Sequence, residues 1–395
     1  MNKRERVSII ILILLSLILS SCRAVTKPDI HSENINTYSE DEEIPPIEEK
    51  VEDKVEEMTL LAVGDIMFHS PQVRAAYLGE GNYDFTPTFK YVKEYIESVD
   101  LALANYETVT LDKKPYSGFP RFNSPKETIL ALAETGFDII STANNHSLDG
   151  GKPGIVSTLN VIEEYGLKSI GTYETPEEQI LIEDIRGIKI GFLSYTYGLN
   201  GLDSLLTKYE LSYMINLINE EKIKADIEKT KELGVDLTVL FLHWGNEYHN
   251  DPSNYQIELG EKIIEWGGNI IFGSHPHVIQ KSETLSNPQD NYIIYSMGNF
   301  LSNQSKVTMG NSLTEDGVMV KLNIEKNFTT GESIIKEVEY IPTWVYKYKS
   351  EGKFNYEILP IEEVISKELE IELTKTVFNR IEDSFNNTLD TLMGN

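Results

Sequence analysis

The stretch Gly273-Ser274-His275-Pro276-His277-Val278 decides how this chain is read. It follows Asn269-Ile270-Ile271-Phe272, a short apolar run with the character of a buried strand. Two imidazoles therefore sit just past a strand's end. In extended chain alternate side chains share a face, so His275 and His277 are expected to point the same way. Pro276 between them biases His275 away from helix. Two neutral imidazoles converging on one point are a metal-ligand arrangement, because each offers a ring lone pair. The competing reading is a pair of surface histidines in a loop.

Outward from this stretch, strands and helices alternate from Thr59 on. Apolar runs place strands over 59–63, 101–104, 137–143, 188–195, 236–242, 292–295, 318–324 and 337–341. Helical periodicity and caps place helices over 86–97, 124–134, 153–165, 220–233 and 253–266, with an amphipathic helix over 368–392. Residues 198–219 read as an insertion, loop-rich or helical. Polar groups close these strands: Gly64-Asp65, Asn105-Tyr106-Glu107, Asn144-Asn145-His146, His243-Trp244-Gly245 and the opening stretch. Open α/β sheets bind ligands outside the strand ends, so these groups are expected along one edge of the sheet. Of the 7 histidines, His31 alone lies in the N-terminal linker, and His69 and His249 sit close behind two of the groups.

The collected set is Asp65, Glu107, Asn145, His146, His243, His275 and His277. Oxygen and imidazole donors without thiolate suit zinc, manganese or iron. The set is large enough for one or two divalent ions, with a carboxylate between them in the second case. Such ions lower the pKa of bound water from about 15.7 toward about 7. Arg121 can fork onto an anionic substrate group or form a surface ion pair. Asp149 can orient His146. Trp244 reads as pocket wall, Glu247 and His249 as site mouth or solvated loop, and Asn299 as the close of a sixth strand.

The formal charge of −28 over 395 residues repels nucleic acid and anionic lipid, so nucleic acid is excluded as a partner. It also repels polyanionic substrates unless bound cations invert the local field. Lys3, Arg4 and Arg6 precede an apolar run over 7–19, which reads as a signal peptide over 1–21. Cys22, the only cysteine, follows Leu19-Ser20-Ser21 and resembles a bacterial lipoprotein box. That resemblance implies lipidation at Cys22 and a tether to the outer face of the cell membrane. An ordinary signal peptide with an incidental cysteine is the alternative. Residues 22–58 are acidic, with Pro45-Pro46, and read as a disordered linker.

The motifs GDIM, NYE, ANNHSLDGG, HWGNEY, GSHPHV and YSMGNF, from Leu60 to Leu301, resemble the bacterial CapA family of capsule synthesis. That family includes poly-γ-glutamate synthesis proteins and is similar to the calcineurin-like metallophosphoesterases. The resemblance implies an α/β fold, a layered β-sheet core flanked by helices, over 59–345, with a C-terminal extension over 346–395. It implies Asp65 and His277 on a first metal and Glu107 as the bridge. Asn145, His243 and His275 would hold a second metal, and His146 would be the acid at the leaving group. The phosphoesterase plan has Asp-x-His where this chain has Asp65-Ile66-Met67, so the first site is one imidazole short. His69 can replace it only if a turn intervenes. The implied role is synthesis, export or trimming of an anionic capsule polymer by a metal-dependent hydrolase, alongside membrane capsule synthase subunits. A non-catalytic accessory subunit, or a phosphoesterase acting on a small anionic substrate or cell-envelope ester, are the rival expectations.

Overall fold

The computed structural model describes residues 54–177, 180–286 and 290–394. The expected signal peptide, Cys22 and the linker as far as residue 53 lie outside the described residues. The last residues assigned to that linker are already strand, because β1 runs Val55–Ile66.

A small hairpin follows, β2 (Tyr77–Gly79) and β3 (Asn82–Tyr83), then β4 (Leu101–Tyr106), β5 (Ile139–Ser141) and β6 (Lys168–Ile170). Next come β7 (Leu181–Ile185), β8 (Ile188–Thr196), β9 (Leu237–His243), β10 (Ile270–Ser274), β11 (Ser282–Ser286) and β12 (Asp290–Ile294). The chain closes with β13 (Asn299–Leu301), β14 (Asp316–Asn327), β15 (Glu332–Ser350) and β16 (Lys353–Pro360). These strands form two large sheets. One has the order β16-β15-β14-β1-β4-β5-β6, with β13 also on β1, and the other β11-β12-β10-β9-β8-β7. The layered β-sheet core is a sandwich of two sheets, so the polar strand ends, expected along one edge, come from two. β1, β4 and β5 end in one sheet, β9 and β10 in the other.

Period-2 alternation explains the layers. Leu60, Ala62, Leu103 and Ile139 face Phe192, Val239, Phe241, Ile270 and Phe272 across the interface between sheets. Their sequence neighbours Leu61, Val63, Ala104 and Ile140 face outward beneath Ile129, Leu132, Val161 and Ile162 of two helices, Glu127–Thr135 and Gly151–Glu164. On the far side Leu240, Leu242 and Ile271 pack under Ile223, Ile227, Leu259 and Ile263 of the helices Glu220–Glu232 and Asn254–Trp266. Each fully buried Leu, Ile or Phe contributes roughly 1.5–3 kcal/mol. The helix Asn254–Trp266 starts at a reciprocal cap. Ser253 Oγ accepts from the Gln256 N–H, and Gln256 Oε1 accepts from the Ser253 N–H.

The expected helix over 86–97 is instead a 3₁₀ turn, Thr86–Phe89, and a short helix, Lys93–Glu97. Phe89, Val92 and Ile96 are all buried. The tighter Val92 N–H to Phe89 O bond, at 3.0 Å, brings the first two onto the same core. β7, β11 and β16 have no apolar run to announce them. β15 crosses residue 345, where the sequence reading ends the domain, and β16 pairs with its second half. The last helix starts at Lys375, capped by Thr374, and lays Ile381 on Trp344 and Leu359.

Candidate metal centre

The first sheet supplies oxygen. β1 shifts register against β4 between Val63 and Asp65, a bulge that re-aims the Asp65 side chain. Gly64 permits it, since a Cβ there would lie 2.0 Å from Gly298 O. Asp65 Oδ1 accepts from Asn105 Nδ2 at 2.7 Å, and Oδ2 accepts from the His275 backbone N–H at 3.2 Å. His277 Nδ1 lies 3.0 Å from Oδ2. Burial works against ionisation of Asp65, yet His277 and Asn105 hold its carboxyl below the ordinary range. Glu107, one residue past β4, is fully buried. Neither of its oxygens makes a hydrogen bond of normal geometry among the described residues. Burial first, and then the neighbouring Asp65 carboxylate, push it well above the usual carboxylate range.

The second sheet supplies nitrogen. His243 ends β9 with Nε2 3.0 Å from Asn145 Oδ1 and 3.6 Å from Glu107 Oε1. Its Nδ1 faces Ser274 Oγ at 2.9 Å. His275 and His277 leave β10 with φ of 96° and 57°. This corrects the expectation of extended chain: the imidazoles converge through left-handed backbone, at a cost of about 1–3 kcal/mol each. The dense core between the sheets over-determines that strain. The ring centroids of His243 and His275 are 4.8 Å apart, those of His275 and His277 5.9 Å. Burial, reinforced by the neighbouring imidazoles, drives His243 well below its ordinary value and His275 to about 3. Both are therefore neutral at pH 7, with lone pairs available to a cation.

Ligand atoms of Glu107, His275 and His277 lie within 4.8 Å of one another, and so do those of Asp65, Glu107 and His243. Glu107 belongs to both groups. The grouping places His275 beside His277, and Asp65 beside His243, whereas the resemblance divides them otherwise. The donor set fits a divalent cation on two counts. It is all oxygen and imidazole, and two buried carboxyl groups lie together, neither oxygen of Glu107 making a hydrogen bond of normal geometry among the described residues. His275 Nδ1 is likewise buried without a hydrogen bond.

His146 stands beside this cluster, with Nδ1 2.7 Å from Asp149 Oδ2. Asp149 Oδ2 also accepts the Phe122 N–H at 2.6 Å, and the Phe122 ring meets the imidazole edge-on with centroids 4.7 Å apart. Arg121 is exposed, one residue from Phe122. Met67 is buried and gives its N–H to Leu301 O. His69 lies outside both ligand groups, and its Nδ1 accepts the Asn303 N–H at 3.3 Å. Burial and the nearby His277 bring it down to about 4. Trp244 is core, donating Nε1–H to Tyr295 O at 3.0 Å. Asn299 Nδ2 donates to His277 O at 3.3 Å. Glu247 and His249 are exposed. Sequence reasoning assigned no role to Asn105, Ser274 or Tyr197, whose ring lies 4.4 Å from that of His275. Asn105 and Ser274 were visible inside the NYE and GSHPHV motifs, but Tyr197 carries no such signal.

Residues 59–304 match the family model described as bacterial capsule synthesis protein PGA_cap. Capsule biosynthesis protein CapA of Bacillus anthracis is 28% identical over 300 residues, covering 73% of this chain and 68% of that protein. PGA biosynthesis protein CapA of Bacillus subtilis (strain 168) is 28% identical over 254 residues, covering 61% of this chain and 62% of that protein. Among solved structures, the calcineurin-like phosphoesterase YfkN from Bacillus subtilis is similar at 15% identity and a TM-score of 0.44, covering 85% of this chain and 99% of that one. The family match takes in every residue of the centre from Asp65 to His277, and the chain belongs to the bacterial capsule synthesis protein family.

Proposed function

We propose that this chain is a metal-dependent hydrolase that makes, exports or trims an anionic capsule polymer of the poly-γ-glutamate class. It works on the outer face of the membrane, tethered through lipid on Cys22 and alongside capsule synthase subunits. The observation that carries the hydrolase reading is Glu107, buried, without a hydrogen bond of normal geometry among the described residues, and common to both donor groups. The names of the CapA relatives support the capsule setting.

Asp65, Glu107, Asn145, His243, His275 and His277 are the residues to hold one or two divalent ions. Such an ion, once bound, supplies a Lewis acid and a water acidic enough to attack near neutral pH. The remaining chemistry belongs to His146. Asp149 engages Nδ1, so Nε2 is the nitrogen free to deliver a proton to the leaving atom of the scissile bond. Asp149 orients the imidazole, and the Phe122 ring fixes its tilt.

Metal content and hydrolysis, measured with a γ-glutamyl oligomer and a chromogenic phosphodiester, test this. His146→Ala keeps its metal and loses about 10²–10⁴-fold in turnover. His275→Ala loses metal and turnover together. A second reading, a non-catalytic accessory subunit of a capsule synthase, is favoured by Met67 standing where an imidazole ligand is expected. Normal capsule in cells carrying His146→Ala, with none after deletion of the whole chain, decides for that reading. Release from membranes by Cys22→Ser tests the tether, and a mature protein without lipid at that cysteine removes it.

A further inference from the structure

Beyond the centre, a cavity of about 330 Å³ opens between residues 302–308 and strands β15 and β16. That volume lies within the range of about 300–1,000 Å³ common to ligand pockets. In a chain of charge −28, its lining is unusual in carrying Lys347, Lys349 and Arg380. Arg380 is neutralised by Glu315 and lies over the Trp344 ring at 5.1 Å. Lys347 has no carboxylate partner among the described residues. Its Nζ donates to Asn303 Oδ1 at 2.7 Å and sits over the rings of Phe354 and Tyr356, 4.7 and 5.3 Å from their centroids. Partial burial lowers its pKa, with no anion nearby to oppose the shift. Lys349, two residues on, is exposed and makes no ion pair among the described residues.

The cavity adjoins the metal centre through two residues of its wall. Asn303, which holds Lys347, gives its N–H to His69. Gln304 donates to Tyr248 OH at 3.3 Å and accepts from Asn299 at 3.1 Å. The Tyr248 ring in turn lies 6.0 Å from the His277 ring.

We propose that this cavity is a binding groove for a carboxylate-bearing segment of a peptide-like anionic polymer, gripped beside the bond presented to the metal centre. The choice of polymer rests on the function proposed above. Lys347 and Lys349 meet carboxylates as flexible point charges. Phe354, exposed and on the same face of the β15–β16 pair as the two lysines, offers flat apolar surface to a polymer's methylenes. A polyphosphate has no use for that surface, so carboxylate polymer is favoured over phosphate polymer.

The test is fluorescence anisotropy on the metal-loaded chain, with a labelled γ-linked oligoglutamate and a labelled glycerol-phosphate oligomer as probes. The expected result is that the parent prefers oligoglutamate, and that Lys347→Gln with Lys349→Gln weakens it about tenfold or more and flattens its salt dependence. Metal content and thermal midpoint stay at parental values. Lys349→Gln alone, at an exposed position, gives a smaller loss in the same direction. Equal affinity in parent and double variant overturns the groove, and so does absence of oligoglutamate binding by the parent. Preference for the glycerol-phosphate oligomer overturns the carboxylate assignment. Binding that depends on the lysines, without turnover of any substrate, leaves the groove standing and removes the hydrolase reading; turnover without such binding does the reverse.

Discussion

The two sheets bring unlike halves to the centre. The first half, Asp65 and Glu107, is carboxylate presented by a backbone bulge and partly tied down by the Asn105 amide. The second half, His243, His275 and His277, is imidazole, and two of its three members are presented by left-handed backbone. The oxygen half carries its cost as buried carboxyl groups, with Glu107 pushed well above the usual carboxylate range. The nitrogen half carries it as local strain. Both costs are tolerable because an apolar interface between the sheets lies directly beneath, and a cation held between the halves would offset the electrostatic one.

Removing the joint breaks the comparison most severely. Glu107→Gln takes away the one group common to both donor sets, so metal content falls to background by elemental analysis. The metal-free variant melts no lower than metal-free parent, since the carboxyl it loses makes no hydrogen bond of normal geometry among the described residues. A variant that binds metal at parental stoichiometry refutes Glu107 as the shared ligand.

Gly64→Ala attacks the oxygen half alone. A Cβ at 2.0 Å from Gly298 O forces the bulge to move, at a cost of about 1–3 kcal/mol or more. The thermal midpoint drops and metal affinity falls with it. An unchanged midpoint shows that the bulge is not required.

Ser274→Ala probes the nitrogen half more gently. The hydroxyl 2.9 Å from His243 Nδ1 orients that ring, and its loss weakens metal binding by about 10–100-fold by competitive chelator titration. The fold is retained. Parental affinity would show that Asn105 and Asn145 suffice to hold the ring.

The smallest effect on the centre comes from Asp316→Asn, at the foot of β14. Burial pushes the Asp316 carboxyl up to about 7, against the hydrogen bond from Ser384. Its folded value stands above its unfolded one, so the native state holds the proton longer. Stability therefore falls as pH rises from the ordinary carboxylate range, about 4, to about 7. The asparagine variant keeps an oxygen for Ser384 and loses this slope. Its melting midpoint exceeds the parent's at pH 8, while metal content stays the same. A parallel pH profile in both proteins refutes the shift.

The sequence alone determined more of the chemistry than of the architecture. Each polar group at a strand end was legible, because a short apolar run followed by His, Asp or Asn is a local pattern. The six proposed ligands were named from such patterns and the family motifs, and the helices Gly151–Glu164 and Asn254–Trp266 from periodicity and caps. Only the tertiary structure decided that the strand ends belong to two sheets, since strand pairing is non-local and both sheets have the same apolar alternation. It also decided how the imidazoles converge. Left-handed backbone at His275 and His277 is unfavourable locally and is imposed by packing between β10 and the Asp65 bulge. β16 and the groove beneath Lys347 escaped the sequence for the same reason. Their residues are mixed in polarity, and only the pairing of β15 with β16 gathers those lysines and rings into one cavity.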